Sequence, residues 1–268
     1  MPGWLRCFQA RPAAATRLIC FPHAGGSAAF YRPLAMAATE VEVHIAEYPG
    51  RADRLFEPLV DDAGRIARAV TEALGPLLDR PVALFGHSMG ATIAHETARL
   101  LTARGVPPTH LFVSASRASH DRPGGPADEV LHDKDDDAFV AELVRLGGTD
   151  ARALADPQLR ELVLPYVRSD FRLIETYRHE PGPRLDLPIT AFSGNADPIV
   201  TIAQAERWAE LTTGEFTLRV FPGDHFYVVP HRDAVLAAIQ EAVASDGGGR
   251  HAGPKARRAT DDAPSVSR

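Results

Sequence analysis

The sequence lacks any long run of apolar residues, although 45% of its 268 residues are hydrophobic. A helix that crosses a membrane needs about 20 consecutive apolar residues, so the composition predicts no transmembrane segment. The N-terminus also lacks the basic segment and the following apolar segment that a signal peptide requires. We therefore expect a cytoplasmic protein whose core is assembled from dispersed apolar residues.

The sequence also contains few cysteines and has no large net charge. Cys7 and Cys20 are the only cysteines, and their apolar surroundings predict buried free thiols in a reducing compartment. A net charge of −6 argues against a groove for nucleic acid or a basic face that binds membranes. The common zinc, P-loop and dinucleotide-binding patterns are missing, so we expect no cofactor and no metal.

One segment combines glycine and serine in a pattern with chemical meaning. Gly86–Gly90 reads Gly-His-Ser-Met-Gly and lies between a strand pattern at 81–85 and a helical pattern at 91–101. G-x-S-x-G between a strand and a helix is typical of a sharp turn that exposes the serine hydroxyl at the strand end. The helix N-terminus then faces the point where negative charge develops. We therefore predict that Ser88 is a nucleophile.

Strand and helix patterns alternate along most of the chain. The predicted strands cover about 4–8, 17–21, 41–48, 81–85, 110–115, 188–193 and 215–221. The predicted helices between them cover about 30–38, 61–78, 91–101, 202–211 and 233–244. This alternation predicts an α/β fold with a mostly parallel sheet and helices on both faces. The polar composition from 246 onward indicates one domain over 1–245 and a disordered tail over 246–268.

The alternation is interrupted by a helical insertion over about 119–185. One helix is predicted at 136–146, and a second begins after Asp156 with Pro157 in its first position. Pro165 lies inside the second helical pattern, so we expect it to kink or split that helix. The insertion should lie above the carboxyl edge of the sheet, where folds of this kind bind ligands.

A serine hydroxyl becomes a good nucleophile when a base removes its proton. In folds with this turn, the partners follow the serine in the order acid and then histidine. Among the 11 histidines, three follow the last plausible acid, namely His225, His231 and His251. His225 comes just after the final strand, whereas His231 is placed to cap a helix and His251 lies in the tail. We predict that His225 is the base.

The acid is predicted from the same chain order. Asp197 directly follows the penultimate strand, which brings its carboxylate to the edge that carries Ser88, although an Asp-Pro turn is the ordinary alternative. Asp186 precedes its strand and belongs at the opposite edge. Asp224 is adjacent to the predicted base, and neighbours in a loop usually point apart. Asp121 remains as a possible substitute for Asp197.

An oxyanion hole needs two N–H donors. The N–H of Met89 is the first candidate because it follows the nucleophile at the helix start. The N–H of Ala24 is the second, because the loop after the early strand is rich in glycine. We expect structural roles for the other histidines near these segments, His23, His87 and His95, although His23 could instead be a second base.

Four motifs together resemble those of a known family. Cys20–Ser27, Tyr48–Arg51, Phe85–Gly90 and Gly223–Phe226 are similar to segments of the type II thioesterases, the stand-alone α/β-hydrolases that accompany modular polyketide and nonribosomal peptide synthases. The resemblance covers about residues 15–240. A generic esterase would share only the serine turn and the order of the catalytic residues.

The resemblance implies an activity and a partner. It implies hydrolysis of acyl or aminoacyl groups from the phosphopantetheine thiol of acyl or peptidyl carrier protein domains, which removes stalled or aberrant intermediates. Carried over by motif, Ser88, Asp197 and His225 form the catalytic triad, and Ala24 and Met89 supply the oxyanion donors. The insertion corresponds to a helical lid. We expect a monomer that binds neither nucleic acid nor membrane.

Several alternatives remain open from the sequence. The same triad would serve a small-molecule carboxylesterase or lipase or a chain-terminating cyclase, and an inactive hydrolase fold could act as a binding module. Arg51 could orient its own loop or form a salt bridge. The apolar residues of the insertion could pack the lid on the core or line an acyl chamber; they include Leu143, Val144, Leu162, Tyr166 and Phe171.

Overall fold

A seven-stranded sheet forms the centre of the computed structural model, which describes residues 3–121, 130–147 and 154–249. The strands are β1 (Leu5–Arg6), β2 (Thr16–Phe21), β3 (Val41–Ala46), β4 (Val82–His87), β5 (His110–Ser114), β6 (Ile189–Gly194) and β7 (Phe216–Phe221). Their order is β1-β3-β2-β4-β5-β6-β7. All neighbours are parallel except β1 and β3. The predicted mostly parallel α/β architecture is confirmed.

Helices cover both faces of this sheet. They are α1 (Ala28–Ala37), α2 (Ala63–Leu74), α3 (Met89–Ala103), α4 (Asp136–Leu146), α5 (Pro157–Thr176), α6 (Ile202–Glu206) and α7 (Arg232–Gly249). Short 3₁₀ turns lie at Ala52–Arg54, Gly75–Leu77 and Arg207–Leu211. Successive strand residues point to opposite faces. Leu84 therefore packs in the core under α2 and α3, whereas Phe85 packs in the core under α1 and α7.

Strand β3 is more buried than its alternating sequence predicts. All six of its residues are buried, including Glu42 and His44. Glu42 tolerates this position because Arg17 donates to its carboxylate at 3.0 Å and the backbone N–H of Arg11 donates at 2.9 Å. An alternating sequence usually indicates a strand with one face in solvent, but here the polar side chains of that face are paired and buried.

The two helices α4 and α5 follow β5 and pack around a small core of their own. That core includes Phe139, Leu143 and Val167. The side chain of Asp156 caps α5 by accepting from the N–H groups of Gln158 and Leu159. Pro165 does not split the helix, which continues through it as one element of 20 residues. Packing of its apolar face outweighs the backbone hydrogen bond that proline removes.

Both ends of the chain depart from expectation in detail. Helix α7 extends to Gly249, past the predicted start of the tail at 246, and the rest of the predicted tail lies outside the described residues. Cys20 is buried, but Cys7 is exposed because it follows the two-residue edge strand β1. None of the helices in the described ranges is long and apolar enough to span a membrane.

Candidate active site

Ser88 occupies a strained turn between β4 and α3. Its φ and ψ angles of 54° and −118° lie in a region that side chains other than glycine seldom adopt. A Cβ atom on Gly86 would lie 2.3 Å from the carbonyl oxygen of Gly90, and a Cβ on Gly90 would lie 2.0 Å from that of Phe21. Both glycines are therefore required for the close approach of strand and helix that presents Ser88.

The structure brings Asp197 and His225 into direct contact. Nδ1 of His225 lies 2.8 Å from Oδ2 of Asp197, and both side chains are almost completely buried. The other oxygen, Oδ1, accepts from the N–H groups of Ile199 at 2.8 Å and Val200 at 3.1 Å. The carboxylate is thus fixed in direction, and it holds the Nδ1–H of His225 so that Nε2 is the basic nitrogen.

The turn that carries Ser88 lies next to the Asp197–His225 pair, as the position of the adjacent residue His87 shows. The ring of His87 is 5.3 Å from the ring of His225. Among the described hydrogen bonds, none joins the Ser88 hydroxyl to His225. Catalytic hydrogen bonds often tighten only when a substrate is bound, so the position of Ser88 remains compatible with its predicted role.

The other candidate acids are engaged elsewhere. The Asp121 carboxylate pairs with Arg207. Asp186 accepts from the hydroxyl of Thr213 at 3.0 Å, and Asp224 accepts from the N–H of Phe226 at 2.9 Å. Asp197 is therefore the acid that the geometry supports.

His231, the alternative histidine that the structure describes, is engaged elsewhere. The ring of His231 lies 5.8 Å from that of Phe221, at the start of α7. His251 lies outside the described residues. Of the three histidines that the chain order allows, the structure therefore supports His225 as the base.

Two backbone N–H groups lie on adjacent segments near Ser88. Met89 is the first residue of α3, so its N–H has no partner within the helix. Ala24 lies in a turn closed by the N–H of Gly26 donating to the carbonyl of His23 at 2.9 Å. The tight contact between Gly90 and Phe21 sets the start of α3 against this loop. Met89 and Ala24 thus occupy positions suited to an oxyanion hole, and that role stays a prediction.

The neighbouring histidines have structural surroundings. Nδ1 of His87 lies 2.8 Å from the hydroxyl of Ser114, and burial together with His225 and His23 lowers the pKa of His87 well below its usual value. The ring of His23 packs edge-on against Phe30. His95 is buried beside other rings, and burial lowers its pKa to about 3. A neutral His87 packs beside His225 without placing a second positive charge there.

One functional contact is missed by the sequence reasoning. Arg51 is paired through both nitrogens of its fork with Asp170 of α5, at 2.7 and 2.8 Å. The salt bridge that we left open for Arg51 is therefore present, but its partner was not anticipated. A usable signal exists, because Asp170 interrupts an apolar face at helical spacing between Val167 and Leu173.

The lid residues expected to pack or to line a chamber divide into two groups. Leu143 is buried in the lid core, where Phe171 packs against it. Val144 and Leu162 are about half exposed, so they do not pack the lid on the core. Leu143 and Phe171 therefore have a packing role, within the lid, whereas the acyl chamber stays a prediction.

Comparison with known proteins places this site in context. A sequence model of the family described as thioesterase domain matches residues 16–243. The chain is 46% identical to a probable cadicidin biosynthesis thioesterase of Streptomyces griseus, over 91% of this chain and 66% of that protein. It is 43% identical to thioesterase PikA5 of Streptomyces venezuelae, over 84% of this chain and 80% of that protein.

A solved structure agrees with the sequence matches. The structure described as the type II thioesterase BorB from the borrelidin biosynthetic cluster aligns with a TM-score of 0.80 at 42% identity. The alignment covers 90% of this chain and 96% of that one. The sheet, the helices on both faces and the helical insertion are therefore shared with a characterised fold.

Proposed function

Because this chain belongs to the thioesterase domain family, with an α/β-hydrolase fold, we propose that it hydrolyses acyl thioesters carried on the phosphopantetheine arm of carrier proteins. The contact between Asp197 and His225 at the edge that carries Ser88 is the observation on which this proposal rests. The relatives support the substrate class, since all three names describe thioesterases and two of them name a biosynthesis or a biosynthetic cluster.

The proposed reaction begins at Ser88. Nε2 of His225 takes the hydroxyl proton while Oγ bonds to the thioester carbonyl carbon, and Asp197 stabilises the imidazolium that forms. The N–H groups of Ala24 and Met89 donate to the oxyanion of the tetrahedral intermediate. Its collapse breaks the carbon–sulfur bond, and the leaving thiolate takes the proton held on Nε2 of His225, which restores the neutral imidazole and leaves an acyl group on Ser88.

The second half of the reaction is deacylation, which regenerates the free enzyme. His225 takes a proton from water, whose oxygen attacks the acyl carbon, and collapse of the second tetrahedral intermediate releases the carboxylic acid and restores the Ser88 hydroxyl. A thiolate leaves readily, so His225 serves mainly to activate Ser88 and then water. These steps use side chains and backbone N–H groups of this chain and call for no cofactor.

The location of the lid supports a carrier-bound substrate. Helices α4 and α5 come between β5 and β6 in the chain, and Asp170 of α5 contacts Gly25 and Arg51, which follow the carboxyl ends of β2 and β3. We propose that the phosphopantetheine arm reaches Ser88 between this lid and the core, and that part of the lid's apolar surface receives the acyl chain. The protein would act as a single copy on one carrier domain at a time.

Matched substrates test this proposal. The purified chain is given an acyl group as a thioester on a carrier protein and, separately, as an oxygen ester of the same length, with Ser88→Ala as the control. We expect release of free acid from the carrier, detected by intact-protein mass spectrometry, and none with Ser88→Ala. Faster turnover of the oxygen ester than of the carrier thioester would instead identify a carboxylesterase.

A further inference from the structure

The side of α5 that faces the core contacts the guanidinium of Arg51. Tyr166 and Asp170 are four residues apart and so share one face of the helix. The Arg51 carbon Cζ lies 4.6 Å from the ring centroid of Tyr166 and 5.3 Å from that of Tyr48. Arg51 and Asp170 are 3% and 1% exposed. Burial acts to lower the pKa of Arg51, but the contacts with Asp170 outweigh it and the pKa of Arg51 is raised, so this guanidinium stays charged.

The same ion pair holds the turn that carries Ala24. Oδ2 of Asp170 accepts from the N–H of Gly25 at 2.8 Å, and Nη1 of Arg51 donates to the carbonyl oxygen of Gly26 at 2.9 Å. Gly25 has a φ of 76°, a left-handed conformation. Two consecutive residues of the loop are thus fixed by charged groups from outside it, and such charge-assisted hydrogen bonds are about twice as strong as neutral ones.

These contacts affect the site because Ala24 directly precedes Gly25. The position of its N–H relative to Met89 depends on where the turn lies, and the anchors of the turn are Asp170 and Arg51. An oxyanion donor is effective only within a few tenths of an ångström of its required position. Displacement of α5 would remove Asp170, leave the N–H of Gly25 without its acceptor and release the turn.

On the basis of the proposed function, we propose that Asp170 and Arg51 are positioning residues of the oxyanion hole. They couple the lid helix α5 to the turn at 23–26, so that the Ala24 N–H is in place only while α5 is seated on the core. A carrier arm that enters beneath the lid would therefore meet a complete site only after the lid has closed over it.

The test compares Asp170→Asn and Arg51→Lys with the wild type. Asparagine keeps the size of aspartate but removes its charge, and lysine keeps the charge of arginine but lacks the fork. We expect kcat for a thioester substrate to fall by about 10- to 100-fold while KM changes by less than about threefold, because the loss concerns the transition state. The rate of Ser88 phosphonylation by a fluorophosphonate should fall in parallel, because its oxyanion uses the same donors.

Arg168→Gln is the matched control on the same helix. Arg168 donates to the carbonyl oxygens of His132 and Lys134 and pairs with Asp136, all within the lid. This variant loosens the lid internally but leaves the contacts of Asp170 intact, so both rates should stay near those of the wild type. Equal losses in Arg168→Gln and Asp170→Asn would overturn the proposal, as would wild-type rates in Asp170→Asn.

A double variant distinguishes a loss of fold stability from a loss of positioning in the oxyanion hole. Removing one partner of a buried ion pair destabilises a fold, whereas replacing both partners by apolar residues is often neutral. Arg51→Met with Asp170→Leu should therefore recover the Tm lost in a single variant but remain slow in both assays. Recovery of both stability and rate would show a purely structural role. If a single variant fails to fold, the rates of this double variant still show whether Arg51 and Asp170 position the oxyanion hole.

Failure of the proposed function would be recognisable separately. If wild-type protein reacts with the fluorophosphonate at Ser88 but releases no acid from carrier thioesters, the substrate assignment is wrong. The phosphonylation rates of the variants still measure the effect of Asp170 and Arg51 on the oxyanion hole in that case.

Discussion

At the scale of single residues, the proposed reaction depends most on the carboxylate of Asp197. Asp197→Asn would present an amide N–H to Nδ1 of His225, which would leave Nε2 protonated and unable to act as a base. We expect kcat to fall by at least about 1,000-fold without loss of the folded state. Steady-state kinetics on a carrier-bound thioester, together with circular dichroism, measure both quantities.

Asp121→Asn is the control for this variant. Asp121 follows the neighbouring strand β5, as Asp197 follows β6, but its carboxylate pairs with Arg207. Its loss should change kcat by no more than about threefold, since Asp121 pairs with Arg207 whereas His225 pairs with Asp197. A near-normal rate for Asp197→Asn with a large loss for Asp121→Asn would reverse the two assignments.

The sequence predicts the residues of the site that chain order determines. Asp197 and His225 follow the ends of consecutive parallel strands, so the topology alone brings them to one edge. Asp170 escapes this reasoning because it lies inside a long helix 119 residues after Arg51. The interrupted apolar face of the helix indicates that Asp170 is buried, but only the packing of α5 on the core reveals that Arg51 is its partner.

At the scale of secondary-structure elements, the junction of β4 and α3 is the most constrained part of the fold. Gly90→Ala would place a Cβ 2.0 Å from the carbonyl oxygen of Phe21, which is backbone and cannot move aside. We expect a loss of about 3 kcal/mol or more in the free energy of unfolding, or failure to fold. Urea denaturation of the soluble protein measures this loss.

Gly75→Ala is the matched control for Gly90→Ala. Gly75 has helical φ and ψ angles, and no atom lies within 4 Å of the position that its Cβ would occupy. Alanine there should leave stability unchanged or raise it by about 0.5 kcal/mol, because it restricts the unfolded chain. Equal stability of the two variants would contradict the close approach of α3 to β2.

Elements with a clear period are predicted well, and those governed by tertiary contacts are not. The helix at 136–146 has the predicted bounds, and the start of α5 at Pro157 agrees with its capping signal, Asp156. Strand β3 and the interior of α5 differ from expectation for one common reason. Burial of paired polar groups and packing of an apolar face are properties of the assembled protein, and local sequence does not report them.

At the scale of the whole molecule, two motifs far apart in the sequence are joined by hydrogen bonds. The hydroxyl of Tyr48 donates to the carbonyl of Pro22 at 3.2 Å, and Arg51 reaches the carbonyl of Gly26. The segments Cys20–Ser27 and Tyr48–Arg51 thus act together, which explains in physical terms why both accompany the serine turn. Asp170 extends this structure to the lid.

The most direct test of the central claim is to follow an acyl group from a carrier protein to this chain. The protein is mixed with an acyl-loaded carrier, the reaction is quenched in acid within its first turnover, and peptides are mapped by mass spectrometry. If Ser88 is the nucleophile, we expect a transient acyl ester on Ser88 that disappears as free acid accumulates. Release of free acid without any acyl-Ser88, or an acyl group on another residue, would contradict it.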